Sequence, residues 1–370
     1  MTVMQLLPAL ESGGVERGTI EIAAALIAAG HRAIVVSGGG RMVAELEALG
    51  AEHITLPIGK KSLSTLRYVR VVRDLLLSRA VDILHLRSRV PAWIGWLAWR
   101  GMDKATRPRL VTTVHGPYTP NAYSAVMVKG ERVIAVSDMI VRYIARYYPA
   151  VAAERITRIY RGVDPDSYAP SFMPDARWQA LWQAEFPQLA GKWVITLPGR
   201  ITRWKGQLDL LGIVQCLLAN GIPVHALIVG EAHPRKQHFL QEIEMKIIEM
   251  GLASAVTLTG QRSDLKNIMA VSDVVLSLST DAEAFGRVSL EALSLGKPVL
   301  GYAHGGVGEQ LAAMYPEGAI ALGDWDAAVI KLRNWCQNGA PPISLDRPFT
   351  LAAMQAQTMS VYDELIQSRR

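Results

Sequence analysis

A chain of 370 residues is too long for one ordinary hydrophobic core, and its length points to two domains. Half of the residues are apolar and 19% are charged, which excludes an extensively disordered chain, and two cysteines exclude a disulfide framework or a zinc cluster. The net charge of +6 is uneven: residues 1–165 carry 22 Lys and Arg against 13 Asp and Glu, and the remainder 17 against 20.

A basic first half suits an anionic partner, either a phosphorylated glycolipid at a membrane surface or a nucleic acid. A generally basic surface without a specific partner is the plainer alternative. The opening Met-Thr-Val-Met-Gln-Leu-Leu-Pro lacks the basic region of a signal peptide, and no uncharged apolar stretch reaches roughly 18 residues, so a cytoplasmic protein is expected.

Residues 2–7 read as a short apolar strand, followed by Glu11-Ser12-Gly13-Gly14-Val15-Glu16-Arg17-Gly18 and a helix through Ala29. Strand, glycine pair and helix together can cradle a phosphate. They are not a dinucleotide fingerprint, whose absence speaks against a nicotinamide-dependent oxidoreductase. Alternation continues with strands over 31–37, 53–58, 81–86, 109–114 and 132–136, and helices over 42–49 and 63–79, the last with basic residues at 67, 70, 73 and 79. This pattern predicts a doubly wound parallel sheet. Trp93, Trp96 and Trp99, three apart, share a predicted helix face that is either core or an aromatic surface docking at a membrane.

His115 follows the strand 109–114, and a histidine at the carboxyl end of a parallel strand projects where ligands sit. It either serves a ligand there or bonds a backbone carbonyl. Ser137, read from its neighbours alone, caps the next helix. Asp164-Pro165-Asp166 spells an acidic pair of the kind that holds divalent metals, but it lies in a proline-containing linker and reads as turn chemistry. No other cluster has metal-ligand spacing, and no metal is expected.

The second half repeats the alternation, with strands over 193–197, 224–229, 256–258, 274–278, 298–302 and 319–322, and a final helix over 350–367. Pro198-Gly199-Arg200-Ile201-Thr202-Arg203-Trp204-Lys205-Gly206 follows the first of these strands. Arg200 and Lys205 in a glycine-flanked loop can converge on one diphosphate, and a solvated basic loop is the alternative. After the strand 274–278 comes Ser279-Thr280-Asp281-Ala282-Glu283-Ala284-Phe285-Gly286-Arg287-Val288-Ser289-Leu290-Glu291. Gly286 lets backbone approach a ligand, the helix start after it offers N–H groups to an anion, and Glu283 and Glu291 flank that site with acceptors for hydroxyls. The same letters also fit a capping box from Thr280 to Glu283 and a surface ion pair between Arg287 and Glu291.

Glu-Ala-Phe-Gly with a second glutamate at Glu291, together with Gly13-Gly14-x-Glu16-Arg17, His115-Gly116, Arg161-Gly162-Val163-Asp164 and Gly-Arg200-x(4)-Lys205-Gly, resembles the retaining glycosyltransferases of family 4. The resemblance extends over most of the chain, and it implies the GT-B fold, two Rossmann-like α/β domains facing across a cleft. The expected boundaries are 1–164 for the acceptor-side domain, 165–348 for the nucleotide-sugar domain, and 349–370 for a helix returning to the first. By resemblance His115 and Glu283 are catalytic; Gly13, Gly14, Arg200, Lys205, Phe285, Gly286 and Glu291 bind the donor; and Glu16, Arg17 and Ser137 lie on the acceptor side.

The implied activity moves a hexose-like residue from a nucleotide diphosphate sugar to a hydroxyl of an anionic glycolipid or oligosaccharide acceptor, with retention and without cofactor or metal. Lipopolysaccharide core or another envelope glycan is the expected product, made by a cytoplasmic protein in peripheral contact with the inner membrane. A sugar phosphorylase and a UDP-sugar 2-epimerase share this architecture and remain alternatives. A nucleic-acid-binding protein would explain the basic half but would leave Glu283 and Glu291 repelling phosphate.

Overall fold

The computed structural model describes residues 1–11, 13–233, 237–344 and 346–368. The chain divides into two compact units, Met1–Gly162 joined by the segment from Leu351 onward, and Val163–Thr350. In the first unit the elements are β1 (Thr2–Leu6), α1 (Gly14–Ala28), β2 (Arg32–Ser37), α2 (Val43–Ala48), β3 (Glu52–Thr55), α3 (Tyr68–Ser78), β4 (Ile83–Leu86), α4 (Arg89–Arg100), β5 (Arg109–Val114), β6 (Arg132–Ala135), α5 (Asp138–Tyr147) and β7 (Ile156–Arg158). Among the described residues these strands form one parallel sheet in the order β3-β2-β1-β4-β5-β6-β7.

The second unit runs α6 (Ala176–Glu185), β8 (Trp193–Pro198), α7 (Gln207–Ala219), β9 (Val224–Val229), α8 (His238–Glu249), β10 (Val256–Gly260), α9 (Leu265–Val271), β11 (Val274–Ser277), α10 (Arg287–Ser294), β12 (Val299–Tyr302), α11 (Gly305–Met314), β13 (Ala319–Ile320) and α12 (Trp325–Asn338). Its parallel sheet has the order β10-β9-β8-β11-β12-β13. Parallel strands are covered on both faces, and so β4 and β9 are buried along their whole length, His85 and His225 included. Each sheet reverses its winding once, between β1 and β4 and between β8 and β11, and loops leaving the carboxyl ends of such strand pairs line ligand sites in open α/β sheets.

The last helix, α13 (Leu351–Gln367), belongs to the first unit. Its Met354, Val361, Tyr362 and Leu365 share one core with Ile20 and Leu26 of α1 and with Val3, Val35, Ile83 and Val111 of the sheet. A polar contact runs through this apolar layer. The Tyr362 hydroxyl lies 2.6 Å from His85 Nδ1, and His85 Nε2 lies 2.7 Å from Thr113 Oγ1.

Several predicted elements change on folding. The helix expected over 63–79 breaks into a 3-10 turn, Leu63–Arg67, followed by α3. The strand expected over 53–58 stops at Thr55, two residues before Pro57, which has no N–H to give a ladder. β7, which no sequence signal announced, extends the first sheet beyond β6. The tryptophan stripe of α4 divides: Trp99 is buried and donates its indole N–H to Pro108 O at 2.7 Å, while Trp93 and Trp96 are half-buried and stand edge to face at 5.5 Å. Trp96 lines a groove of about 570 Å³ with Val128, Tyr147 and Tyr148, and Lys129 sits over its ring. Cys216 and Cys336 are free thiols, and no helix among the described residues is long and apolar enough to cross a membrane.

Removing the Tyr362 hydroxyl strands a buried imidazole nitrogen. Tyr362→Phe is therefore expected to destabilise the first unit by about 1–3 kcal/mol in a denaturant titration, with its shape otherwise preserved.

Candidate functional site

In the second unit the site is built where the β8 and β11 loops meet. Gly206, at φ 77°, lies so close under the end of β11 that a Cβ would collide with the Leu278 carbonyl oxygen, and Thr280 N–H donates to Trp204 O at 2.7 Å. These backbone contacts bring Lys205 Nζ to 2.8 Å from Glu283 Oε1, an ion pair with both side chains largely shielded from water. Ser279 Oγ donates to the same oxygen at 2.5 Å. Glu283 Oε2 takes no hydrogen bond among the described residues, which leaves an acceptor held rigidly by its twin.

A second backbone-on-backbone contact holds Glu283 from behind. Gly306 N–H donates to Glu283 O at 2.8 Å, and a Cβ on Gly306 would meet the Phe285 main chain. The Gln310 amide then donates to Phe285 O and Gly286 O at 2.5 and 3.0 Å. Phe285 is buried edge-on against Phe349, and Gly286 opens α10 without any side-chain cap. One turn into α10, Glu291 is buried and accepts Arg287 Nε at 2.7 Å. The capping box from Thr280 to Glu283 does not form, because the helix starts only at Arg287 and the Glu283 side chain is taken by Lys205. Arg200 is exposed beyond β8, and its guanidinium makes no ion pair among the described residues.

In the first unit the corresponding loops follow β1, β4 and β5. Gly13 precedes α1 and Gly14 is its first residue, where a Cβ would meet nothing; Glu16 curls back toward Gly13. Arg17 is turned aside into an ion pair with Glu45. Ser137 is wholly buried and caps α5, accepting from Ile140 N at 3.2 Å.

His115 sits beyond β5 with Arg161 Nη2 at 2.5 Å from its Nδ1. An arginine only donates, so Nδ1 must accept, and the ring proton belongs on Nε2. That Nε2 is buried and has no hydrogen-bond partner among the described residues, which makes it a donor waiting for an acceptor. Burial, followed by the charges of Arg161 and Arg87, holds the His115 pKa well below its ordinary 6.5, so the ring is neutral.

Sequence reasoning quoted Arg161 only as part of a motif and passed over Arg87, and it gave neither arginine the role of imposing this state. Arg87 is among the largest fully buried side chains; its Nη1 donates to Gln5 Oε1 at 2.8 Å, and burial lowers its pKa to about 10 against the opposing fields of Tyr362, Glu21 and Glu16. Gly18, buried in α1, is what makes room: a Cβ there would strike the Arg161 guanidinium and press on Arg87 Nη2 at 3.2 Å. The available signals were an arginine directly after a wholly apolar-flanked strand and a glycine inside a helix. Among the described residues no group of three or more His, Cys, Asp or Glu is arranged to hold a metal ion.

Two family models match the chain: Glycosyltransferase Family 4 over residues 12–167, and Glycosyl transferases group 1 over residues 180–347. The spore coat protein SA of Bacillus subtilis strain 168 is 24% identical over 309 residues, spanning 80% of this chain and 77% of that protein. Among solved structures, a glycosyltransferase from Rickettsia africae ESF-5 superposes with a TM-score of 0.81 at 27% identity, covering 99% of this chain and 98% of its own. HepE of Anabaena, in complex with UDP-glucose, shares the fold with a TM-score of 0.74 at 23% identity over 100% of this chain and 98% of its own.

Two neutral histidines, His85 buried and His115 half-buried with its Nε2 shielded, give the first unit an acid limit. His85 and His115 both have folded pKa values well below 6.5, so the unfolded chain binds protons that the folded chain refuses. Their contribution to stability is complete above pH 6.5 and is lost as the pH falls below it, at up to about 1.4 kcal/mol per pH unit for each histidine. Denaturant titrations at falling pH are expected to show this loss, with a shallower slope in His115→Asn.

Proposed function

The chain belongs to the glycosyltransferases of family 4, with the GT-B fold, and from that premise we propose that it transfers a hexose-like sugar from a nucleotide diphosphate sugar to a hydroxyl of an anionic glycolipid, with retention of configuration. The observation that carries this reading is the Lys205–Glu283 pair, in loops at the winding reversal of the second sheet, with Arg200 exposed in the same loop after β8 and in no ion pair among the described residues. Such a pair offers a cation to a diphosphate and a carboxylate to sugar hydroxyls within one rigid loop system. That HepE, a protein of the same fold, holds UDP and UDP-glucose supports a nucleotide sugar as the donor.

In this reading Arg200 and Lys205 take the diphosphate, together with the N–H groups opening α10, and the Gly14 N–H of the first unit is a further donor suited to phosphate. Glu291 takes the ribose diol, Phe285 and Gly286 shape the loop, and Glu283 accepts from the hexose. His115, neutral and donating from Nε2, hydrogen-bonds a sugar hydroxyl. The bond from the anomeric carbon to the diphosphate oxygen breaks, the acceptor oxygen bonds to that carbon on the same face, and the acceptor proton passes to the departing phosphate. Positive side chains and amides oppose the charge that grows on the leaving group, so this reading calls on no metal.

Glu16, Arg17 and Ser137 are kept on the acceptor side only as surroundings, since Arg17 is engaged by Glu45 and Ser137 by its helix. A growing lipopolysaccharide core is the proposed acceptor, which the basic surplus of the first half supports. Free thiols, one of them exposed at Cys216, fit a reducing, cytoplasmic setting.

A thermal-shift series with UDP, GDP and ADP identifies the donor base, because a ligand bound only by the folded state raises its melting temperature. Arg200→Met and Glu291→Ala are each expected to weaken nucleotide binding about tenfold to a hundredfold, whereas Glu283→Ala chiefly lowers kcat. Full transfer activity in both glutamate variants would remove the assignment.

A further inference from the structure

The segment from Lys60 to Leu77 is used by nothing described above, and it presents an unusual surface. Its 3-10 turn is firmly built: Ser62 Oγ accepts from Ser64 N at 3.2 Å, and buried Thr65 donates its hydroxyl to Lys60 O at 2.8 Å. With three residues per turn, side chains at i and i+3 eclipse, so Leu63 and Leu66 form a single ridge. That ridge points outward, at 86% exposure for Leu63 and 47% for Leu66, and Val71 and Leu77 of α3 are exposed as well.

Exposed leucines alone carry no meaning. Here they are bordered by Lys60, Lys61, Arg67 and Arg70, all exposed and none in an ion pair among the described residues. No Asp or Glu occurs between Glu52 and Asp74. Exposed Met245 and Ile248 of α8, by contrast, stand among Glu242, Glu244 and Glu249, a mixed-charge face. The apolar ridge within an uncompensated field of cations is confined to one compact, internally braced turn.

We propose that this turn and the start of α3 form a docking surface for an anionic lipid bilayer, with Leu63 and Leu66 entering the boundary between headgroups and acyl chains and the four cations meeting lipid phosphates. Two signals together, one apolar and one basic, are what holds a protein stably at an anionic interface. A protein partner is the poorer fit. A stable protein interface draws on a broad packed area with anchors seated in a pocket, whereas this ridge is two side chains wide. The inference rests on this surface and not on the transferase reading, to which it would add access to an acceptor held in a membrane.

The full chain is tested by flotation with vesicles of phosphatidylcholine alone and with vesicles in which about a third of the lipid is phosphatidylglycerol. The expected result is binding only to the anionic vesicles, weakening as salt is raised. The combined variant Lys60→Glu, Lys61→Glu, Arg67→Glu, Arg70→Glu should lose about tenfold or more in partitioning, and Leu63→Ser with Leu66→Ser should lose binding even to anionic vesicles. Both variants should keep the nucleotide thermal shift, which shows that they fold and separates this test from the donor assignment. Wild-type protein that ignores anionic vesicles, charge-reversed protein that binds them undiminished, or capture by an acidic peptide in place of vesicles would each overturn the proposal.

Discussion

The chemistry assigned to the second unit depends on main chain lying directly against main chain. At Gly206 the turn after β8 touches the last residue before the β11 loop, and at Gly306 the start of α11 touches the far side of that loop. Neither position has space for a Cβ, so a side chain there would push the loops apart rather than merely crowd them. The result is that Lys205 and Glu283, 78 residues apart, are held at 2.8 Å by backbone rather than by their own attraction. A partly shielded ion pair fixed in this way presents its remaining charge and lone pairs in a set geometry, which is the form of preorganisation that binding a polar ligand uses.

The first unit solves a different problem, that of a buried positive charge. Arg87 and Arg161 stand against α1 where Gly18 leaves room, and the two histidines nearest them stay neutral under burial and like charge. Desolvating a guanidinium is expensive, and a protein that keeps one buried keeps it hydrogen-bonded, as Gln5 does for Arg87. The arrangement has consequences at both ends of the chain. His115 is fixed as a neutral Nε2–H donor, and His85 gives its other nitrogen to Tyr362, so the closing helix is fastened to the same polar core.

Local pattern was enough for most of the framework. The short runs at 109–114 and 224–229 became β5 and β9 with the same bounds, since strand length and β-branched content together mark a strand buried on both faces. Where two local readings competed, contacts from elsewhere chose between them. Arg287 and Glu291 do pair along α10, and Ser137 does cap α5, both as short-range chemistry allows. The capping box at Thr280 lost because the helix starts only at Arg287 and the Glu283 carboxylate pairs with Lys205, and the single helix over 63–79 lost because Ser62 and Thr65 tie its opening into a tighter turn.

Periodicity, glycine placement and the loop motifs by themselves determined that the chain alternates strand and helix, that it winds two parallel sheets, and which loops carry ionisable groups, because each of these is written within about ten neighbouring residues. Only the tertiary structure decided which of those groups meet: that Glu283 faces Lys205, that Arg161 commands the tautomer of His115, that Arg87 is buried, and that Leu63 and Leu66 are not. Such pairings join residues far apart in the chain, and burial depends on what the rest of the fold lays over a side chain, which no window of sequence contains.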